Sequence, residues 1–117
     1  MTGAAATAAG PDQLDRTLAA LADPARRHVV DLLRERPRRS GELAAALSMS
    51  PSVMSRHLKV LRDSDLVDES SPAFDTRVRI YSLRAGATDG LRSWLAAVEQ
   101  GWAGQLTALK AHVERGE

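Results

Sequence analysis

A chain of 117 residues with 44% hydrophobic and 26% charged side chains has the balance of one globular domain with an ordinary core. It contains no cysteine, which excludes disulfides, thiolate zinc sites and cysteine nucleophiles. The net charge is only +1, yet residues 24–64 hold nine Lys/Arg against four Asp/Glu, the uneven distribution expected of a phosphate-backbone binder.

Residues 1–10, MTGAAATAAG, carry no charged side chain, and a disordered tail is expected over residues 1–11. The stretch lacks the basic start and long apolar core of a signal peptide, and no window approaches the ~20 apolar residues needed to cross a bilayer. The expectation is a cytoplasmic protein that does not engage a membrane, with its folded domain over residues 12–117. Leu14, Leu18 and Leu21 fall at i, i+4, i+7 and predict a short helix with one apolar stripe that needs a partner. Asp23-Pro24 then reads as N-cap and first residue of a second helix, whose buried side is Val29, Val30, Leu32 and Leu33. Arg36-Pro37-Arg38-Arg39 ends it, and these arginines suit either phosphate contact or a solvated loop.

Ser40 to Leu66 reads as a helix, a tight turn and a second helix. Ser40 is the expected N-cap of the first, which runs through Glu42, Leu43, Ala44 and Leu47 until Ser48–Ser50 breaks it. Ser50 and Pro51 supply N-cap and first position of the second. There Met54, Leu58 and Leu61 share one face and must turn toward a core. The opposite face carries Ser52, Ser55, Arg56 and Lys59, with Val53 and His57 alongside, as a helix entering the DNA major groove requires. An ordinary amphipathic surface helix has the same outline, so context must decide.

After Leu66 the period changes. Val67-Asp68-Glu69 and Arg77-Val78-Arg79-Ile80-Tyr81-Ser82-Leu83 alternate as strands do, with Val78 and Ile80 on one side and Arg77, Arg79 and Tyr81 on the other. With the turn-rich loop Ser70–Thr76 they make a small β-hairpin whose arginines can reach a flanking minor groove. A hairpin that only caps the core would also leave its arginines in solvent, and Asp68, Glu69 and Asp75 keep the segment from being uniformly basic.

From Asp89 to Arg115, Leu91, Leu95, Val98, Trp102, Leu106, Leu109 and Val113 form a sustained helical stripe. Such a helix spans roughly 35–40 Å at ~1.5 Å per residue, more than a small body can cover. Its excess apolar face, over about residues 89–115, predicts a homodimer built with the first helix. Leu14, Leu18, Leu91, Trp94, Leu95, Val98, Trp102, Leu106 and Leu109 would form the interface, anchored by the two tryptophans. The alternative is that both tryptophans belong to the protein's own core. Gly101 and Gly104 mark either a bend or a close helix approach.

Leu47-Ser48-Met49-Ser50-Pro51, followed by Ser55-Arg56-His57-Leu58-Lys59-Val60-Leu61-Arg62 and Leu66-Val67, closely resembles the ArsR/SmtB family of winged helix-turn-helix repressors. Leu21-Ala22-Asp23-Pro24-Ala25-Arg26-Arg27 is similar to the family's preceding helix and Arg77–Leu83 to its wing, so about residues 13–114 are covered. The resemblance implies a mainly α fold with a small β-hairpin, a dimer joined through its first and last helices, and repression of transcription. In a two-fold dimer the recognition helices enter successive major grooves ~34 Å apart, so the expected partner is double-stranded DNA bearing an inverted repeat. Arg56 is the candidate for guanine, Ser52 and Ser55 for phosphate or base edges, Val53 for a thymine methyl and Lys59 for the backbone, with Ser50, His57, Arg77 and Arg79 completing the DNA-binding set. The family usually has a histidine at the position of His57, which suits bracing the helix as well as reading bases.

The family's metal sensors commonly use cysteines on the helix that Glu42–Leu47 matches, and none occurs here. A second arrangement uses histidines and carboxylates on the last helix, where this chain offers His112 and Glu114, with Glu99 and Asp89 far upstream. Residues two apart on a helix diverge by about 200°, so those two could close around one ion only with ligands from a partner. No metal or cofactor is expected, and a small-molecule inducer, if one exists, is not identified by any residue pattern. Three scattered histidines and eight dispersed glycines provide no catalytic constellation. The rival to DNA binding is a winged helix used only for protein interaction, which would expose an apolar patch where this helix carries serines and basic residues.

Overall fold

The computed structural model describes residues 11–116. Of the tail expected over 1–11, residues 1–10 lie outside the described residues, and Pro11 already belongs to the first helix. The elements follow in the order α1 (Pro11–Leu21), α2 (Pro24–Glu35), β1 (Arg38–Arg39), α3 (Ser40–Ala46), α4 (Pro51–Asp63), β2 (Val67–Ser70), β3 (Ile80–Leu83) and α5 (Asp89–Glu114).

Local chemistry sets the helix boundaries. Asp23 caps α2, accepting from the Ala25 and Arg26 amides at 2.7 and 3.3 Å, and Pro24 occupies the position where a missing N–H is harmless. Ser50 caps α4 in the same way, its Oγ accepting from the Val53 amide at 3.3 Å ahead of Pro51. Ser50→Ala should lower global stability by about 1 kcal/mol in urea denaturation without altering the fold. Ser40, by contrast, is not the cap of α3. The chain enters that helix from Arg39, whose own amide donates to the Glu42 carboxylate at 3.1 Å, so the bond that marks this helix start is a carboxylate reaching back to the cap residue rather than a hydroxyl accepting from the first turn. Between α3 and α4, Ser48 takes φ 54°, a left-handed turn residue that ends one helix and aims the next.

Tyr81 and Leu66 join Val29, Leu33, Leu43, Ala44, Met54, Leu58, Leu61 and Val67 in the core, so α2, α3, α4 and the sheet close around one centre. The predicted face of α4 is therefore the buried one, and of the four residues expected on α2 Val29 and Leu33 are buried while Val30 and Leu32 are half-buried against the core. From α1 the core takes Ala20, with Thr17 also buried, while Leu18 remains 39% exposed.

The sheet differs from the expected hairpin in three respects. It has three antiparallel strands in the order β1-β3-β2, because Arg38 and Arg39 pair with Tyr81 and Ile80. A two-residue strand made of arginines carries no apolar alternation, so nothing in its composition announces it. Strand β3 begins at Ile80, leaving Arg77, Val78 and Arg79 in the connecting loop. Finally, the facing is reversed: Tyr81, assigned outward with the arginines, is buried, and Val78 and Ile80 are only half-buried. Pairing on both sides and a carboxylate partner for its hydroxyl let tyrosine occupy the inner position.

Helix α5 is continuous from Asp89 to Glu114, about 39 Å long at ~1.5 Å per residue. It meets α1 yet has no buried residue, and the molecule extends 71 × 41 × 21 Å. Trp94 and Trp102 are 44% and 66% exposed, so the reading in which they belong to the protein's own core is overturned.

Candidate nucleic-acid interface

The helix-turn-helix consists of α3 and α4, and the packing of Met54, Leu58 and Leu61 fixes which face of α4 looks outward. Ser52, Ser55, Arg56 and Lys59 are exposed along it, while Val53 and His57 lie half-buried at its edge. Ser50 and Ser52 hydroxyls stand 3.3 Å apart at its N-terminus.

The charges on this face differ in availability. Lys59 Nζ donates to Asp63 at 2.7 Å, one turn along the helix, and that bond holds the Asp63 carboxyl below its usual range. Arg62 Nη1 donates to Glu69 at 2.7 Å. Arg56 alone among the cations of α4 has no ion-pair or hydrogen-bond partner among the described residues. The basic excess of residues 24–64 is similarly reduced, since Arg26 lies by Asp23, Arg36 by Glu42 and Arg38 by Glu35. Of these only the Arg36–Glu42 pair is exposed on both sides, a weak kind of pair that can exchange its carboxylate for a phosphate, whereas the Arg26 and Arg38 side chains are largely buried and also donate to the Ala20 and Leu32 carbonyls.

His57 braces the helix. Its Nδ1 lies 3.4 Å from Arg26 Nη1, and Arg26 Nε donates to the Ala20 carbonyl at 2.6 Å, so the edge of α4 is tied to the end of α1 through α2.

The wing loop, residues 71–79, carries Arg77, exposed and paired with Asp75 at 3.2 Å, and Arg79, which donates to Ser71 Oγ at 2.8 Å and the Thr76 carbonyl at 3.4 Å. The bond from Arg77 holds the Asp75 carboxyl low. Phe74, which the periodicity did not single out, is 83% exposed there. Glu69, noted in the sequence only as diluting the wing's basic charge, receives the buried Tyr81 hydroxyl at 2.7 Å. That bond, with Arg62 and Arg79 nearby, keeps the Glu69 carboxyl below its ordinary range, and burial together with Glu69 pushes the Tyr81 phenol up to about 12.

The candidate interface between subunits lies apart from these groups. Leu95, Val98, Leu106 and Leu109 are exposed along α5 with both tryptophans, and Leu14 and Leu91 are half-buried where α1 meets it. Cβ atoms added at Gly101 or Gly104 would meet nothing within 4 Å, so no close approach within this chain calls for glycine there. Glu114 lies 3.9 Å from Lys110, and among the described residues no three His, Asp or Glu side chains are grouped to hold a metal ion. No helix among them is long and apolar enough to cross a membrane.

Residues 23–69 match the pattern of the family described as "Bacterial regulatory protein, arsR family". The HTH-type transcriptional regulator Rv2034 of Mycobacterium tuberculosis is 41% identical over 93 residues, spanning 80% of this chain and 81% of the relative. Among solved structures, the ArsR family transcriptional regulator RHA00566 has a TM-score of 0.72 at 30% identity, covering 80% of this chain and 94% of the other. An ArsR-like transcriptional regulator from Rhodococcus sp. RHA1 also gives 0.72, at 23% identity over 85% of this chain and 91% of its own, a likeness of fold.

Proposed function

The chain belongs to the ArsR family of bacterial regulatory proteins and is a DNA-binding transcriptional regulator rather than an enzyme, and from that premise we propose that it represses transcription as a homodimer on an inverted-repeat operator. The observation that carries this reading is the division of α4: Met54, Leu58 and Leu61 are consumed by the core, while its outward face, apart from the half-buried Val53 and the exposed Val60, carries serines, Lys59 and an Arg56 with no partner among the described residues. A protein-interaction face would instead expose apolar side chains.

In this reading residues 12–117 form the winged helix-turn-helix domain, with α5 as its dimerisation helix. Ser50, Ser52, Val53, Ser55, Arg56 and Lys59 meet the major groove or its phosphates, His57 holds the helix in place, and Arg77 and Arg79 reach the flanking minor groove. The exposed stripe on α5 supports the dimer, because ~39 Å of helix with no buried residue leaves two tryptophans in water. Repression follows if the operator overlaps the promoter and the bound dimer excludes polymerase. The place of action is the cytoplasm, and the signal is a small molecule or none, without a metal or cofactor.

Fluorescence anisotropy tests this on the duplex upstream of the protein's own gene beside a scrambled duplex, at two salt concentrations. Specific binding should exceed the scrambled duplex by ~10³-fold or more and weaken as salt rises, because phosphate contacts release counterions. Binding to neither duplex would favour the protein-interaction module.

A further inference from the structure

Glu69 stands where three parts of the molecule meet. It lies on β2, and its Oε2 accepts both from the buried Tyr81 hydroxyl and from Arg62 Nη1, each at 2.7 Å. Its Oε1 lies 3.7 Å from Nε of Arg79. Arg62 belongs to the last turn of α4, and Arg79 closes the wing loop. One carboxylate, fixed by a core tyrosine, thus holds a cation from each of the two elements that the DNA-binding reading assigns to the duplex.

We propose that Glu69 determines DNA specificity, by withholding Arg62 and Arg79 from indiscriminate phosphate binding and by fixing the wing relative to the recognition helix. The proposal rests on the DNA-binding reading above and concerns a residue outside the expected contact set. Free arginines on mobile side chains bind any duplex through its backbone, a sequence-independent affinity that competes with operator search. Arginines tethered to a fixed carboxylate engage phosphates only where the docked geometry compensates for the lost pair. The carboxylate stays charged at neutral pH, since its surroundings lower its pKa rather than raise it.

Glu69→Gln removes the charge while keeping an oxygen that accepts from Tyr81, so the fold is retained. The test compares wild type and E69Q by anisotropy on an operator selected from a random duplex pool and on a scrambled duplex, across a salt series. In E69Q, scrambled-duplex affinity at moderate salt should rise roughly 10-fold and the slope of log K against log salt should steepen by about 1–2, for up to two added phosphate contacts. Operator affinity should gain less, because the wing is no longer fixed, so the specificity ratio falls. Glu69→Asp, which keeps the charge, should restore part of the ratio.

An E69Q protein with the wild-type ratio and slope overturns the proposal. Equal loss of affinity for both duplexes at an unchanged slope also overturns it, assigning Glu69 a purely structural role. If the wild-type protein selects no operator, the DNA-binding reading itself fails and this inference falls with it, a result distinct from either of the others.

Discussion

Replacing Arg56 by alanine should weaken operator binding by roughly 1–3 kcal/mol, about 5- to 160-fold, while affinity for a scrambled duplex should change little. Arg56 lies one turn beyond Ser52 on the exposed face of α4, so both present to the same stretch of groove. With no partner among the described residues, its guanidinium is free to form the bidentate contact with guanine for which its planar fork is suited. The same freedom makes the substitution clean, since no acceptor is stranded and thermal stability should stay within about 0.5 kcal/mol. Lys59→Ala should behave differently: removing a point charge that also pairs with Asp63 lowers affinity for both duplexes and flattens the salt slope by about one contact. Anisotropy on both duplexes separates the two. Loss of the same size on operator and scrambled DNA would make Arg56 a backbone contact, and no loss would remove it from the interface.

The features legible in the sequence were those written in repeated or strongly local chemistry. Pro24 and Pro51, each after a side-chain cap, gave the starts of α2 and α4, and the spacing of Met54, Leu58 and Leu61 gave the buried face that leaves Arg56 outward. The heptad-like run in α5 gave its length and its apolar face. The sheet was harder because its pairing is a property of distant residues. Arg38 and Arg39 become a strand only because β3 lies beside them, and Tyr81 turns inward because Glu69 meets its hydroxyl. Alternation alone cannot choose which of two faces is inner when one holds Val and Ile and the other a tyrosine among arginines. The availability of each charge was likewise hidden. Lys59 and Asp63 are four apart and their pairing can be read from spacing, but Arg62 and Glu69 meet across a turn, and Arg79 joins them only through the fold. A count of basic residues therefore overstated the free positive charge and understated the carboxylates that organise it.

If the chain assembles as the homodimer proposed above, Trp102→Glu should convert it to monomers at micromolar concentration and reduce operator affinity by about 10²- to 10⁴-fold, the advantage lost when two linked half-site contacts become independent. Trp102 is 66% exposed in the single chain, midway along an apolar stripe that continues through Leu106 and Leu109, so a carboxylate there costs the monomer little. Buried between two copies related by a two-fold axis it would meet its own symmetry mate or a neighbouring apolar side chain, and an unpaired charge in that setting is strongly unfavourable. Gln100→Glu, two residues away and therefore on the far side of α5, is the matched control and should leave assembly unchanged. Sedimentation equilibrium reads the mass, far-UV circular dichroism verifies that helix content is retained, and anisotropy reads DNA binding. Because each monomer keeps its own recognition helix, the weak salt-sensitive binding to scrambled duplex should fall far less than operator binding. A wild-type protein that sediments as a monomer would overturn the homodimer itself, and a Trp102→Glu protein that remains dimeric would place the subunit contact elsewhere. Loss of the dimer with operator affinity intact would mean that one recognition helix with its wing suffices, and that the operator is a single half-site rather than an inverted repeat.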